Sequence, residues 1–143
     1  MNERIDIKEV DLEAYVIMYA FEKYLSKTNL TPIQKELIKI RASQINGCPF
    51  CINLHTQSAR KLGETEQRIY ALTAWRETPF FNEQERAILA LTEEVTLIQH
   101  HVSNETYNKA ASLFDQQSLA QLIMAIIAIN AWNRISISTN MMP

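Results

Sequence analysis

The chain has 143 residues, of which 47% are apolar and 21% charged, with a formal net charge of −2. That size and composition suit one domain spanning residues 1–143 and exclude a disordered polymer. The weak negative charge leaves no footprint for nucleic acid, and two glycines are too few for a sandwich, a barrel or a phosphate-cradling loop. The expectation is an all-α bundle of six to seven helices.

The N-terminal segment MNERIDIKEVD is charged and lacks the apolar run of a signal peptide. No stretch reaches about 18 apolar residues, so no membrane span is expected and a cytoplasmic location is the default. Residues 9–27 predict a first helix with a wide apolar face that includes Leu12, Tyr15, Val16, Met18, Tyr19, Phe21 and Leu25. Thr31-Pro32-Ile33-Gln34 has the form of a capping box with proline at the first helical position. It opens helix 32–46, which Asn46-Gly47 stops. Helix 49–62 starts at Pro49 and closes at Gly63, with Arg60 and Lys61 suiting the negative end of its dipole.

A short helix, 65–76, runs to Thr78-Pro79. Asn82-Glu83-Gln84-Glu85 is a second capping-box pattern, and Ile88, Leu91, Val95 and Ile98 repeat at helical spacing behind it. His100-His101-Val102-Ser103 reads as a polar connection, with Ser103 capping helix 104–114 and Asp115 capping helix 116–137. Leu122 to Ile129 is an unbroken apolar run, which predicts a helix buried all round, as a central core helix or a subunit interface. Trp75, Trp132 and the methionines read as core or interface residues.

Chemistry concentrates between Glu36 and His55, in ELIKIRASQINGCPFCINLH. Cys48 falls at the cap of helix 49–62, with Cys51 and His55 one and two turns in, all within roughly 60° of one face. Unpaired amides and the dipole at a helix N-terminus favour a thiolate, and a nearby imidazolium favours it further. The dipole acts most strongly on Cys48, whereas His55 lies one turn from Cys51, so the more acidic thiol stays open. If helix 32–46 turns at Asn46-Gly47 and runs back along helix 49–62, Glu36 comes beside His55, where a carboxylate orients the ring and raises its basicity. Two other readings stand beside a redox dithiol. The cysteines are buried small hydrophobes, or they bind zinc with His55 and Glu36. A structural zinc site usually joins two knuckles, and this chain has one.

Glu36, twelve residues before Cys-x-x-Cys, then three residues and His55, resembles the AhpD-like alkylhydroperoxidase branch of the carboxymuconolactone decarboxylase family. QINGCPFCINLHTQSARKLGETEQRI, AWRETPFFNEQERAILALTEEVT and AIIAINAWNRISI are similar to that branch as well, so that the likeness covers about residues 30–137. The resemblance implies an all-α fold, a cysteine pair cycling between dithiol and disulfide, and a homo-oligomer, with a hexamer ahead of a trimer. It implies that Cys51 attacks peroxide, that Cys48 resolves, and that Glu36 and His55 relay the proton. The branch has a second histidine just before its second cysteine, and Phe50 stands there instead. The expected function is a thiol-dependent peroxidase acting on alkyl hydroperoxides or hydrogen peroxide in antioxidant defence. It uses no cofactor or metal beyond its cysteines and draws on a lipoyl- or thioredoxin-type dithiol. The alternatives are a thiol–disulfide adaptor serving a partner peroxidase and a non-catalytic metal-binding or redox-sensing module.

Overall fold

The computed structural model describes residues 3–143, leaving Met1 and Asn2 of the N-terminal segment outside it. The described residues form eight α-helices and no strand: α1 (Ile7–Val10), α2 (Leu12–Leu25), α3 (Pro32–Asn46), α4 (Pro49–Lys61), α5 (Glu66–Tyr70), α6 (Glu83–Thr96), α7 (Asn104–Leu113) and α8 (Gln116–Ser138). Short 3-10 turns cover Ala71–Glu77 and Ile98–His100. The all-α expectation holds, with corrections at three elements. Asp6 caps a separate one-turn helix and Asp11 leaves helical geometry at φ −149°, so the expected helix 9–27 is two helices and the count rises to eight. The expected helix 65–76 is α-helical only to Tyr70, and a kink at Ala74 interrupts the 3-10 continuation.

Local signals place the other boundaries. Thr31 accepts from the Gln34 amide while Gln34 accepts from the Thr31 amide, and Asn82 and Glu85 make the same reciprocal pair. Ser103 and Asp115 cap α7 and α8 through their side chains. Gly47 takes the left-handed conformation, φ 67°, that ends α3, and the amide of Cys48 donates back to Ser43 O at 3.0 Å.

Helix α3 is the centre of the bundle, packed on α4, α6 and α8. Its Leu37 and Ile40 enter one apolar cluster with Ala59, Leu72, Trp75 and Leu89. Its Ile38 and Ala42 enter the other, with Ile88, Leu122, Ile126 and Ile129. The remaining correction concerns α8, which is not buried all round. Leu122, Ala125, Ile126 and Ile129 face the core, while Met124 and Ile127 are exposed. By length and composition α8 could cross a membrane. Within this fold its inner face continues into buried Asn133, which is hydrogen-bonded to Asn46 and Ser43.

An ion-pair hub fixes the loop before α6. Arg68 pairs with Glu64 and Glu85 at 2.8 Å each, stacks 4.6 Å over Phe81 and donates to Phe80 O. Both carboxylates are buried. The Glu85 hydrogen bond raises the guanidinium pKa above its ordinary value against the opposing effect of burial, with Glu64 adding to the rise. Arg68→Ala strands two buried carboxylates, and we expect it to lower stability by about 3–5 kcal/mol. Urea denaturation with an unchanged midpoint would show the hub to be idle.

Candidate active site

Cys48 is held from both sides. It follows the left-handed Gly47 and is also the N-cap of α4, where its sulfur accepts the Cys51 amide at 3.3 Å. The two cysteines are joined by a disulfide, their Cα atoms 5.4 Å apart. In this form neither sulfur is a thiolate metal ligand. Cys48 is 0% exposed and Cys51 3%, yet Cys51 lines a cavity of about 410 Å³ and Cys48 does not.

The α3–α4 hairpin brings Glu36 beside His55. Glu36 Oε2 lies 3.1 Å from His55 Nδ1, both side chains being largely buried. With an ionised carboxylate, Nδ1–H donates and the lone pair sits on Nε2. Lys39, one turn beyond Glu36, reaches it at 3.6 Å and Glu22 of α2 at 3.9 Å. Glu22 also accepts from Trp132 Nε1 at 3.0 Å, so a polar chain runs along the cavity from Trp132 to His55.

The remaining wall is aromatic and apolar. Tyr15, Tyr19 and Phe50 line it with Leu54 and Ile129, and Tyr15 meets Trp132 edge to face at 5.5 Å. Burial pushes the Tyr15 phenol above its ordinary value, Asp6 and Tyr19 add to this and Lys8 opposes it. Ser136 of α8 completes the cavity, with its Oγ 3.6 Å from Cys51 Sγ. His100 and His101 are exposed and stand outside this wall.

The structure thus brings Cys48, Cys51, His55 and Glu36 together at one site. Sequence reasoning missed Ser136, Lys39, Glu22 and the aromatic wall. The available signal for Ser136 was its register, since Ile126, Ile129, Asn133 and Ser136 lie on one helical stripe and the polar pair interrupts an apolar series.

A family model described as "Carboxymuconolactone decarboxylase family" matches residues 11–94. YdfG of Bacillus subtilis (strain 168) is 45% identical over 139 residues, covering 96% of this chain and 95% of that protein. The crystal structure of an Agrobacterium tumefaciens protein, described as of unknown function and as a putative antioxidant defence protein AhpD, superposes with a TM-score of 0.94 at 35% identity, covering 99% of each chain. An uncharacterized peroxidase-related protein from Silicibacter sp. TM1040 shares the fold, with a TM-score of 0.83 at 22% identity over 93% of this chain and 71% of that one. The segment that carries the dithiol lies inside the matched region, and by that match this chain belongs to the carboxymuconolactone decarboxylase family, in its AhpD-like branch.

Proposed function

We propose that the protein is a thiol-dependent peroxidase in which Cys48 and Cys51 cycle between dithiol and disulfide. One observation carries this reading: the disulfide meets a cavity through Cys51, and the same cavity presents a histidine backed by a buried carboxylate. In the reduced protein His55 Nε2 takes the Cys51 proton, and Glu36 stabilises the imidazolium through Nδ1–H. The thiolate attacks a peroxide oxygen. An S–O bond forms, the O–O bond breaks, and the departing alkoxide takes the proton from His55 and leaves as an alcohol. The Cys48 sulfur then attacks the Cys51 sulfenic acid, the S–S bond forms, and hydroxide leaves with a proton as water. Two electrons have passed from the dithiol to the peroxide, and an external dithiol restores the pair by exchange.

Burial of both sulfurs supports a slender reductant of the lipoyl type, which can enter the cavity, over a thioredoxin-type protein whose dithiol sits on its own surface. It also weighs against the adaptor alternative, which needs a partner peroxidase to reach the disulfide. The direct test is hydroperoxide consumption by purified protein with dihydrolipoamide and no partner protein. Turnover is expected. Disulfide exchange without peroxide consumption would replace this reading by the adaptor.

The functional unit is a homo-oligomer in this reading, with a hexamer first and a trimer second by the family resemblance. The chain exposes 8520 Å², roughly 1,000 Å² above the ~7,500 Å² that size scaling gives a compact monomer of its mass. Part of that surface is an apolar groove of about 670 Å³ between α6, α7 and α8, where Ile98, Tyr107 and Ile127 are exposed. Light scattering should find a multiple of the 16.5 kDa chain at micromolar concentration. A monomer there ends the claim.

A further inference from the structure

We propose that Ser136 is a catalytic residue of the dithiol: its hydroxyl donates to the Cys51 sulfur and places the thiolate charge on Cys51 rather than Cys48. The inference deepens the peroxidase reading and rests on it for its role in turnover, while the ionisation it describes is measurable by itself.

Ser136 Oγ lies 3.6 Å from Cys51 Sγ, and Ser136 is 3% exposed. A disulfide sulfur carries no hydrogen, so the hydroxyl is the donor. Helical hydroxyls ordinarily turn back to the carbonyl four residues earlier. Thr56, Ser58, Thr92 and Thr139 of this chain do so. Ser136 does not, and among the described residues the Cys51 sulfur is its side chain's hydrogen-bond partner. The main chain holds it there. Asn140 turns left-handed at φ 57°, and the Met141 amide donates to Ser136 O at 2.9 Å, closing α8. Ser136 lies beyond residues 11–94, so the segment the family model matches does not supply it.

The donor answers a specific problem. A close dithiol carries at most one anion near neutral pH, because the first thiolate suppresses the second ionisation. Cys48 has the stronger local claim to that charge, since it sits at the positive end of the α4 dipole and already accepts the Cys51 amide. A thiolate on Cys48 does not meet the cavity. Phe50, next to Cys51, brings hydrocarbon and no proton. His55, Lys39 and Ser136 are cavity groups that favour charge on Cys51, and Ser136 does so without titrating. The titratable and charged groups facing the cavity are Tyr15, Tyr19 and Glu22 from α2, Lys39 from α3 with Glu36 behind it, and His55 from α4; α8 adds none there. Substitution at Ser136 leaves that set intact.

The test is the pH profile of iodoacetamide alkylation of the reduced protein, read separately at Cys51 and Cys48 by peptide mass spectrometry. Ser136→Ala should raise the Cys51 profile by about one pH unit and move the label toward Cys48. The pair Ser136→Thr and Ser136→Val repeats the comparison at constant shape, with threonine staying near the wild type and valine shifting like alanine. Circular dichroism confirms the fold of each. Coincident threonine and valine profiles, or an alanine profile equal to the wild type, overturn the proposal. A shifted profile in a protein that consumes no peroxide sinks the peroxidase reading and leaves the Ser136 assignment standing.

Discussion

Cys51→Ser is expected to reduce peroxide consumption to the uncatalysed background, whereas Cys48→Ser is expected to stop the cycle one step later. The asymmetry comes first from access, and the charge that His55 and Ser136 favour on Cys51 works in the same direction. Both sulfurs are nearly without solvent contact, but of the two only Cys51 borders the cavity through which a peroxide would arrive in the proposed cycle. A serine at position 51 leaves Cys48 as a thiolate behind the wall, well stabilised by the helix cap and with nothing to attack. A serine at position 48 leaves the attacking sulfur in place and removes the group that would condense with its sulfenic acid. One equivalent of hydroperoxide should therefore give a dimedone adduct on Cys51 in the Cys48→Ser protein and none in the Cys51→Ser protein. An adduct on Cys48 in the latter would mean that the helix dipole, and not the cavity, selects the nucleophile.

Much of the frame that carries this chemistry was legible because it is written locally. A capping box is four consecutive residues, and Thr31–Gln34 and Asn82–Glu85 fold as their side-chain chemistry requires. Asn46-Gly47-Cys48-Pro49 is likewise a complete instruction, a helix stop followed by a helix start, and it alone sets the hairpin that brings Glu36 to His55. The split at Asp11 was also local, but the apolar residues on either side carry a helical period straight across it. Burial was harder. An apolar run such as Leu122–Ile129 reports what a helix would like to bury, not what the chain has available to cover it, and Ile127 stays exposed for that reason. The same limit hid half of the site. Ser136 meets Cys51 across 85 residues of sequence and Trp132 meets Glu22 across 110, and such pairings follow only once α2, α3 and α8 have packed.

His55→Ala is expected to slow the reaction of Cys51 with peroxide by about 10²–10⁴-fold, the usual cost of a positioned proton-transfer group. Glu36→Gln should fall toward the lower end of that range by a different route. The imidazole remains, but a glutamine can turn either its oxygen or its amide toward Nδ1. With the amide there, the ring proton moves to Nε2 and the cavity loses its base. Even with the oxygen there, a neutral amide no longer stabilises the imidazolium formed when the thiol ionises. In the proposed cycle Glu36 is in this sense a positioning residue that acts through His55. Lys39 holds it from the other side at 3.6 Å, which keeps the carboxylate oriented when the ring is charged. The double variant should then be no slower than His55→Ala by itself, because a carboxylate with no ring to orient has nothing left to contribute. The same logic fixes the pH dependence: the Cys51 alkylation profile should move to higher pH in both single variants, and free imidazole should recover part of the rate in His55→Ala only. Multiplying losses in the double variant would mean that Glu36 acts independently of His55, and a profile that stays where the wild type has it would detach both from the thiol and leave Ser136 to account for its acidity.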